Sequence, residues 1–224
     1  MNRLSIITSL AFCALAQVEV EYAANFDWAS KYVEQGFETT EDSFYTLSFE
    51  AGLNNWSLGL LAGYAPDQDY RETNVSLTYA YTLSDEAEVT FGYTRYDYQE
   101  DDSYGNELDL IFYYTPMEEL EAYLHFGYNF EVDGVFVESG VSYRYEFDHG
   151  FSVTPYALVG FDFDYLTPEF NGGNHVQVGV ELAYQVSAES IIYLAAHQSG
   201  ALENIDREGS GDLFWVNAGV TYEF

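Results

Sequence analysis

Apolar and polar side chains alternate along most of the chain with a period of two. Between residues 43 and 53 the odd positions after Ser43 are apolar, as in Leu47 and Phe49, and the even positions are mostly small or polar, as in Ser48 and Glu50. Successive side chains of a strand point to opposite faces, so this pattern predicts a strand with one apolar face. The same division recurs in residues 73–83, 106–115 and 175–186.

Strands of this kind account for nearly the whole chain, and the connections between them alternate in length. Twelve segments are predicted: 22–36, 43–53, 56–64, 73–83, 88–98, 106–115, 120–131, 135–147, 151–164, 175–186, 190–200 and 212–224. Tight turns such as Asn54-Asn55 alternate with longer polar connections at 37–42, 65–72, 99–105, 165–174 and 201–211, and the short one at Asp133-Gly134 is the exception. Short and long connections are therefore expected at opposite ends of one sheet.

An even number of strands with this asymmetry is typical of a transmembrane β-barrel. The predicted fold class is all-β, a transmembrane antiparallel β-barrel of about 12 strands, with short periplasmic turns and longer outer loops. The glycines of the strands fall on the polar register, where a missing side chain lets the sheet bend and leaves space inside. A soluble secreted β-sandwich is the alternative, but 22 Tyr and 17 Phe, many in alternating rows, exceed what one sandwich interior accommodates.

The first residues have the pattern of a secretory signal peptide, residues 1–16. Arg3 supplies the positive charge, Leu4–Leu15 the apolar run and Ala14-Leu15-Ala16 the cleavage pattern, which leaves residues 17–224 as the barrel. The apolar run is shorter than the roughly 20 residues that a membrane-spanning helix needs. Cys13 raises the alternative of a lipoprotein, although the bulky Phe12 precedes it.

Charge and composition narrow the function classes. With 38 acidic and 6 basic residues the formal net charge is −32, so a nucleic acid is excluded as a partner, because its phosphates would be repelled. An aromatic content of 19% argues against disorder. With 1 Cys in the sequence and no metal-ligand spacing among the 4 His, we expect no bound metal and no cofactor.

The last predicted strand alternates up to Tyr222 and Phe224, which both belong to its apolar register. This ending resembles the C-terminal assembly signal of bacterial outer-membrane proteins. The resemblance implies the barrel-assembly machinery as a partner. Outer-membrane lipid and lipopolysaccharide are expected around the apolar face, and the cell outer membrane is the expected location.

Residues near the start of the predicted barrel resemble a known family. Ser30, Tyr32 and Gly36 form a Ser-x-Tyr-x-x-x-Gly pattern, and Trp56-Ser57-Leu58-Gly59 follows in the predicted third strand. The pattern is similar to the TorF-type porins of Gram-negative bacteria, with Glu34-Gln35 where that family often has an arginine. The resemblance implies an outer-membrane barrel that passes small solutes.

The polar register supplies the candidate pore lining. It comprises Asp27, Lys31, Glu50, Glu107, Asp109, Glu121, Glu138, Arg144, Asp162 and Glu181. Carboxylates along a water-filled pore favour cations over anions, so we predict a channel for small solutes that prefers cations. Alternatively, these acids pair with tyrosine hydroxyls, Lys31 and Arg144 and fill a closed interior. Twelve strands allow a narrow pore at most.

Two further readings carry different chemistry. His197 and Ser199 share one register, predicted to face lipid, and such a pair is similar to the base and nucleophile of outer-membrane phospholipase A. The rest of that motif is missing, so no catalytic residue and no enzymatic activity are expected. A structural or adhesive barrel without conductance is a third possible class of function. Glu100-Asp101-Asp102 could hold a divalent cation, although a solvated acidic loop is the simpler interpretation.

Overall fold

The computed structural model describes residues 20–99 and 102–224. The predicted signal peptide, with Cys13, and the pair Glu100-Asp101 lie outside these residues and stay predictions. The described strands are β1 (Glu21–Ala29), β2 (Tyr32–Glu34), β3 (Phe37–Thr40), β4 (Phe44–Leu53), β5 (Trp56–Ala65), β6 (Tyr70–Ser84), β7 (Ala87–Tyr98), β8 (Ser103–Met117), β9 (Leu120–Asn129), β10 (Gly134–Tyr143), β11 (Tyr145–Phe147), β12 (Phe151–Phe163), β13 (Asn171–Gln185), β14 (Ser190–Ala201) and β15 (Leu213–Glu223). A 3-10 turn (Asp148–Gly150) and a short helix α1 (Glu203–Arg207) complete the description.

Twelve of these strands close into one antiparallel barrel. The hydrogen-bonded order runs from β10 through β9, β8, β7, β6, β5 and β4 to β1, and then through β15, β14 and β13 to β12. Pairing of β10 with β12 closes the ring, and the short β11 continues along β12. The first and last strands of the barrel, β1 and β15, pair with each other, and we call this pairing the seam; in it Asp27 lies opposite Gly219. The predicted all-β barrel of 12 strands is therefore confirmed.

Apolar side chains of the alternating pattern form the outer surface of this barrel. Leu47 is 60% exposed, Phe91 51% and Leu194 50%, each on the outward register of its strand. Apolar residues exposed in this way all around a closed barrel are the lipid-facing surface of a membrane-spanning protein.

The first predicted strand, 22–36, is wrong beyond Ala29. The chain leaves the barrel wall there and forms a separate hairpin of β2 and β3, turning at Gln35 and Gly36. Both turn residues have positive φ, 48° and 84°, as a two-residue hairpin turn of mirror-image type requires. Because a hairpin strand alternates like a barrel strand, the sequence pattern alone did not separate the two.

The predicted outer connections also differ from the described ones. β6 begins at Tyr70 and β8 at Ser103, so the last residues of the predicted loops 65–72 and 99–105 belong to strands. The predicted loop 201–211 contains α1, whose Ile205 side chain is fully buried. Within the described residues, no helix has the length and apolar character needed to cross a membrane.

Candidate functional site

The inward register of the barrel strands carries most of the predicted pore-lining acids. Their hydrogen-bond partners are tyrosines more often than cations. The Tyr123 hydroxyl donates to Glu138 Oε1 at 2.5 Å, and the Tyr193 hydroxyl donates to Asp27 Oδ2 at 2.6 Å. A neutral hydroxyl satisfies a carboxylate oxygen without cancelling its charge, so these pairs keep negative charge in the wall.

Two further carboxylates each accept from two tyrosines. Tyr70 donates to Glu72 at 2.8 Å and Tyr32 donates to the same carboxylate at 3.3 Å. Glu107 accepts from Tyr96 at 3.2 Å and from Tyr165. Glu72 is not among the pore-lining residues predicted from the sequence, because it was assigned to the loop 65–72. Its register, shared with Asn74, could have revealed it.

Glycines on neighbouring strands provide the space in which the lumen tyrosines lie. Tyr123 is the cross-strand partner of Gly140, Tyr156 of Gly179 and Tyr193 of Gly219. A Cβ built at any of these three glycines would lie 2.4 Å from an atom of the facing tyrosine. We call each of these pairs a glycine–tyrosine seat. The predicted inward register of glycines thus fixes where the hydroxyls point.

The predicted cations pair with acids outside this set. Lys31 lies before β2, not on a barrel strand, and its Nζ is 2.8 Å from Glu38 Oε1 across the hairpin. Arg144 Nε is 3.2 Å from Glu146 Oε1 at the end of β10. Arg144 also lines a cavity of ≈ 40 Å³ together with Glu181.

The remaining predicted acids have different surroundings. Asp162 accepts backbone N–H bonds from Tyr165 at 2.8 Å and Leu166 at 2.9 Å, and an amide bond from Asn204 at 2.9 Å. It therefore ties the connection between β12 and β13 to α1. Glu50 is exposed on the inward register of β4, and Glu121 is half-buried near the start of β9.

His197 and Ser199 do not face lipid, so that part of the sequence interpretation is wrong. His197 is 5% exposed and Ser199 1%, on the inward register of β14. His197 contacts the Tyr156 hydroxyl through Nδ1 and the Asn217 amide oxygen through Nε2, at 2.6 Å for the latter. Both registers of this segment are apolar at Ile191 to Ala196, which is why alternation did not resolve its faces.

These contacts belong to a longer hydrogen-bonded chain on the inner wall. Gln177 donates to the Tyr156 hydroxyl at 2.6 Å, and Asn217 donates to Asp27 Oδ2 at 2.9 Å. Trp215 stacks on the His197 ring with centroids 4.9 Å apart. Residues of β12 to β15 and β1 are thereby joined through amides, hydroxyls and one imidazole.

The hairpin of β2 and β3 lies inside the barrel near the end with the longer connections. Tyr32 stacks on Phe44 of β4 with centroids 4.1 Å apart, whereas Val33 packs with Leu213 and Trp215 of β15. A Cβ at Gly36 would lie 2.6 Å from Ile205 Cδ1 and 2.7 Å from His175 Cγ. The hairpin therefore extends from one part of the wall to another and narrows the lumen.

Tyr165 narrows the same end from the connection between β12 and β13. It reaches Glu107 on β8 and lies beside Phe136, with ring centroids 5.7 Å apart. Two causes raise the pKa of the Tyr165 hydroxyl well above its ordinary value: burial, which is the larger, and the negative charge of Glu107. Tyr165 therefore stays a neutral donor at physiological pH.

One group in the described part of the chain has the composition of a metal site. Glu107, Asp109 and His125 each offer a ligand atom, and these atoms lie within 4.8 Å of one another. The sequence spacing did not indicate this group, because β8 and β9 contribute the residues separately.

Comparison with known proteins identifies the fold. No protein-family model matches the sequence, and no characterised relative matches it at the sequence level. Among solved structures, the chain is similar to the KdgM porin, with a TM-score of 0.64 and 13% identity over 91% of this chain and 99% of that one. It is similar to the NanC porin with a TM-score of 0.59 and 12% identity, covering 91% and 99%. An outer-membrane channel from Pseudomonas putida F1 matches with a TM-score of 0.51 and 12% identity, covering 94% and 97%.

The shared fold and the lipid-facing surface agree on where the protein resides. The chain has the closed barrel of outer-membrane porins, and its apolar residues surround the outside. It is an outer-membrane barrel with a porin-like fold.

Proposed function

We propose that this barrel is a passive channel for small solutes and that it prefers cations. The observation that carries the proposal is the pairing of lumen carboxylates with tyrosine hydroxyls, as in Glu138 with Tyr123 and Asp27 with Tyr193. Uncancelled carboxylates in a narrow lumen with low-dielectric walls attract cations, and their field is screened less than that of surface charges.

The finer family assignment is part of this proposal. Ser30, Tyr32 and Gly36 support a place among the TorF-type porins, and they lie in or beside the hairpin that narrows the lumen. Ser30 Oγ accepts the backbone N–H of Val216 at 3.1 Å, so the first of these residues fixes where the hairpin leaves the wall.

A lipid hydrolase receives less support than a channel. A nucleophile that attacks membrane lipid has to reach the lipid-facing surface, and both His197 and Ser199 face inward. A structural or adhesive barrel without conductance is the second candidate, favoured by the hairpin and Tyr165 in the lumen.

We further propose the partners implied by the outer surface and the last strand. The apolar side chains on the outer surface of the barrel would contact outer-membrane lipid and lipopolysaccharide. Tyr222 and Phe224, whose rings lie 4.8 Å apart, would be read by the barrel-assembly machinery, and membrane integration of a Phe224→Ala variant tests this.

Planar-bilayer recording across a KCl gradient tests the channel. We expect a reversal potential that favours K⁺ and that moves most of the way toward zero when Glu107→Gln, Asp109→Asn and Glu138→Gln are combined. The matched control removes the same charge from exposed positions, with Asp67→Asn, Asp102→Asn and Glu208→Gln. Salt screens such surface charges within about 8 Å at physiological ionic strength, so the control should change selectivity less.

Three outcomes would contradict the proposal in different ways. Anion preference of the unmodified protein would refute cation selection by the lumen. An equal effect of both triple variants would place selectivity at the entrance. A folded barrel with no conductance would favour the structural or adhesive candidate.

A further inference from the structure

We propose that Glu107, Asp109 and His125 form a binding site for a divalent transition-metal ion on the inner wall of the barrel. The proposal concerns binding, so it stands whether or not the barrel conducts. Two carboxylates and an imidazole are a donor set that divalent metals use in proteins. The site joins adjacent strands β8 and β9.

The strand register brings these donors to one point. His125 is paired with Ile111, two residues along β8 from Asp109 and on the same face. Asp109 Oδ1 lies 2.8 Å from His125 Nε2, and all three ligand atoms lie within 4.8 Å of one another. Ligands about 2.1 Å from one zinc ion stand roughly 3–4 Å apart, so only small side-chain movements would complete the coordination.

Two glycines make this convergence possible. A Cβ at Gly127 would lie 3.3 Å from Glu107 Cδ and 3.4 Å from His125 Cε1. A Cβ at Gly92 would lie 3.2 Å from Asp109 Oδ2. Larger residues at these positions would push the donors apart, so the glycines form a cradle beneath the group.

Hydrogen bonds from outside the group hold its donors in place. Tyr96 and Tyr165 donate to the Glu107 carboxylate. Glu138 is the cross-strand partner of His125 and adds negative charge beside the imidazole. Partners that orient a ligating side chain in this way raise metal affinity in known sites by about 10–100-fold.

The donor types select the class of metal. Ca²⁺ and Mg²⁺ take oxygen ligands, whereas an imidazole nitrogen favours zinc and its first-row neighbours. We therefore expect Zn²⁺ to bind and Ca²⁺ or Mg²⁺ not to compete with it. The alternative is that Asp109 and His125 form an ion pair with no affinity for metal.

Isothermal titration of the folded, full barrel in detergent with Zn²⁺ tests the site. We expect one Zn²⁺ per barrel, with affinity at least about tenfold weaker in His125→Gln and in Asp109→Asn, since each removes one of three ligands. His149→Gln is the matched control, because His149 is an exposed histidine in a turn. Heat-dependent gel mobility verifies that every variant is folded.

X-ray absorption at the zinc edge gives a second readout. The expected spectrum of the loaded protein contains one imidazole ligand and loses it in His125→Gln. Absence of Zn²⁺ binding, equal affinity in His125→Gln and the unmodified barrel, or displacement of Zn²⁺ by equimolar Ca²⁺ would each overturn the proposal. If the unmodified barrel binds Zn²⁺ but shows no preference for cations, the channel proposal alone is refuted.

Discussion

Two parts of the lumen wall use the same glycine–tyrosine packing to position different polar groups. We call the inward residues of β6 to β10 the acid wall and those of β12 to β15 with β1 the amide wall. In the acid wall, Tyr123 rests on Gly140 and donates to the Glu138 carboxylate. In the amide wall, Tyr156 rests on Gly179 and contacts the His197 imidazole.

This comparison indicates that the packing of tyrosines on glycines supplies stability in both walls, whereas the carboxylates supply the negative charge. A glycine–tyrosine seat holds the tyrosine ring against the barrel wall, and this packing does not depend on which group the tyrosine hydroxyl contacts. We therefore expect the stability of both walls to depend on their seats. The carboxylates Glu72, Glu107, Asp109 and Glu138 place negative charge in the acid wall. The amide wall carries the Asp27 carboxylate, which accepts from Tyr193 and Asn217, and the rest of its hydrogen-bonded chain consists of amides, a hydroxyl and an imidazole.

The largest effect is expected from filling a seat in either wall. Gly140→Val and Gly179→Val should each lower the free energy of unfolding by about 2–3 kcal/mol, because the new side chain overlaps the tyrosine ring. Urea unfolding from lipid vesicles, followed by tryptophan fluorescence, measures this. Gly211→Val is the control, since a Cβ there meets nothing within 4 Å. A loss as small as that of the control would show that the rings move aside at no cost.

A smaller loss is expected from breaking the amide wall alone. His197→Ala removes the partner of both Tyr156 and Asn217, and leaving buried polar groups unsatisfied should cost about 2 kcal/mol. The exposed His149→Ala should change stability by no more than about 0.5 kcal/mol in the same unfolding measurement. Equal effects of the two variants would mean that the hydrogen-bonded chain does not stabilise the wall.

The smallest and most selective effect is expected from Tyr123→Phe. Removing a hydroxyl that donates to a carboxylate should cost about 1.5 kcal/mol of unfolding free energy while leaving the Glu138 charge in place. The reversal potential should therefore stay unchanged, whereas Glu138→Gln should move it. If Tyr123→Phe shifts the reversal potential as far as Glu138→Gln does, the hydroxyl itself would take part in selection.

Alternation predicted the barrel because its physical cause acts locally. A strand with one face in lipid needs apolar side chains at every second position, and this holds in β4 regardless of its neighbours. The inward placement of Gly140 and Gly179 follows from the same local pattern. Where both registers are apolar, as around Leu194, the pattern carries no information about facing, and His197 was placed on the wrong side.

Contacts that depend on several strands were beyond the sequence. The meeting of Asp109 with His125 depends on the register between β8 and β9, which neither strand encodes alone. The inward fold of the hairpin depends on Val33 finding Trp215 from the far end of the chain. The first contact requires two adjacent strands in register, and the second requires the two ends of the chain to have met in the barrel.

The seam between β1 and β15 has a consequence for how quickly the barrel can form or come apart. The hydrogen bond from Asn217 to Asp27 joins residues 190 positions apart, so the ring cannot close until nearly all intervening strands are in place. Each doubling of the length to be closed adds only about 0.6 kcal/mol, but contacts at long separation form slowly. If the seam reopened in a membrane, its backbone N–H and C=O groups would face hydrocarbon without hydrogen-bond partners. Each such group would cost several kcal/mol. We therefore expect the folded barrel to be long-lived because this opening step is slow, even where its individual hydrogen bonds are weak.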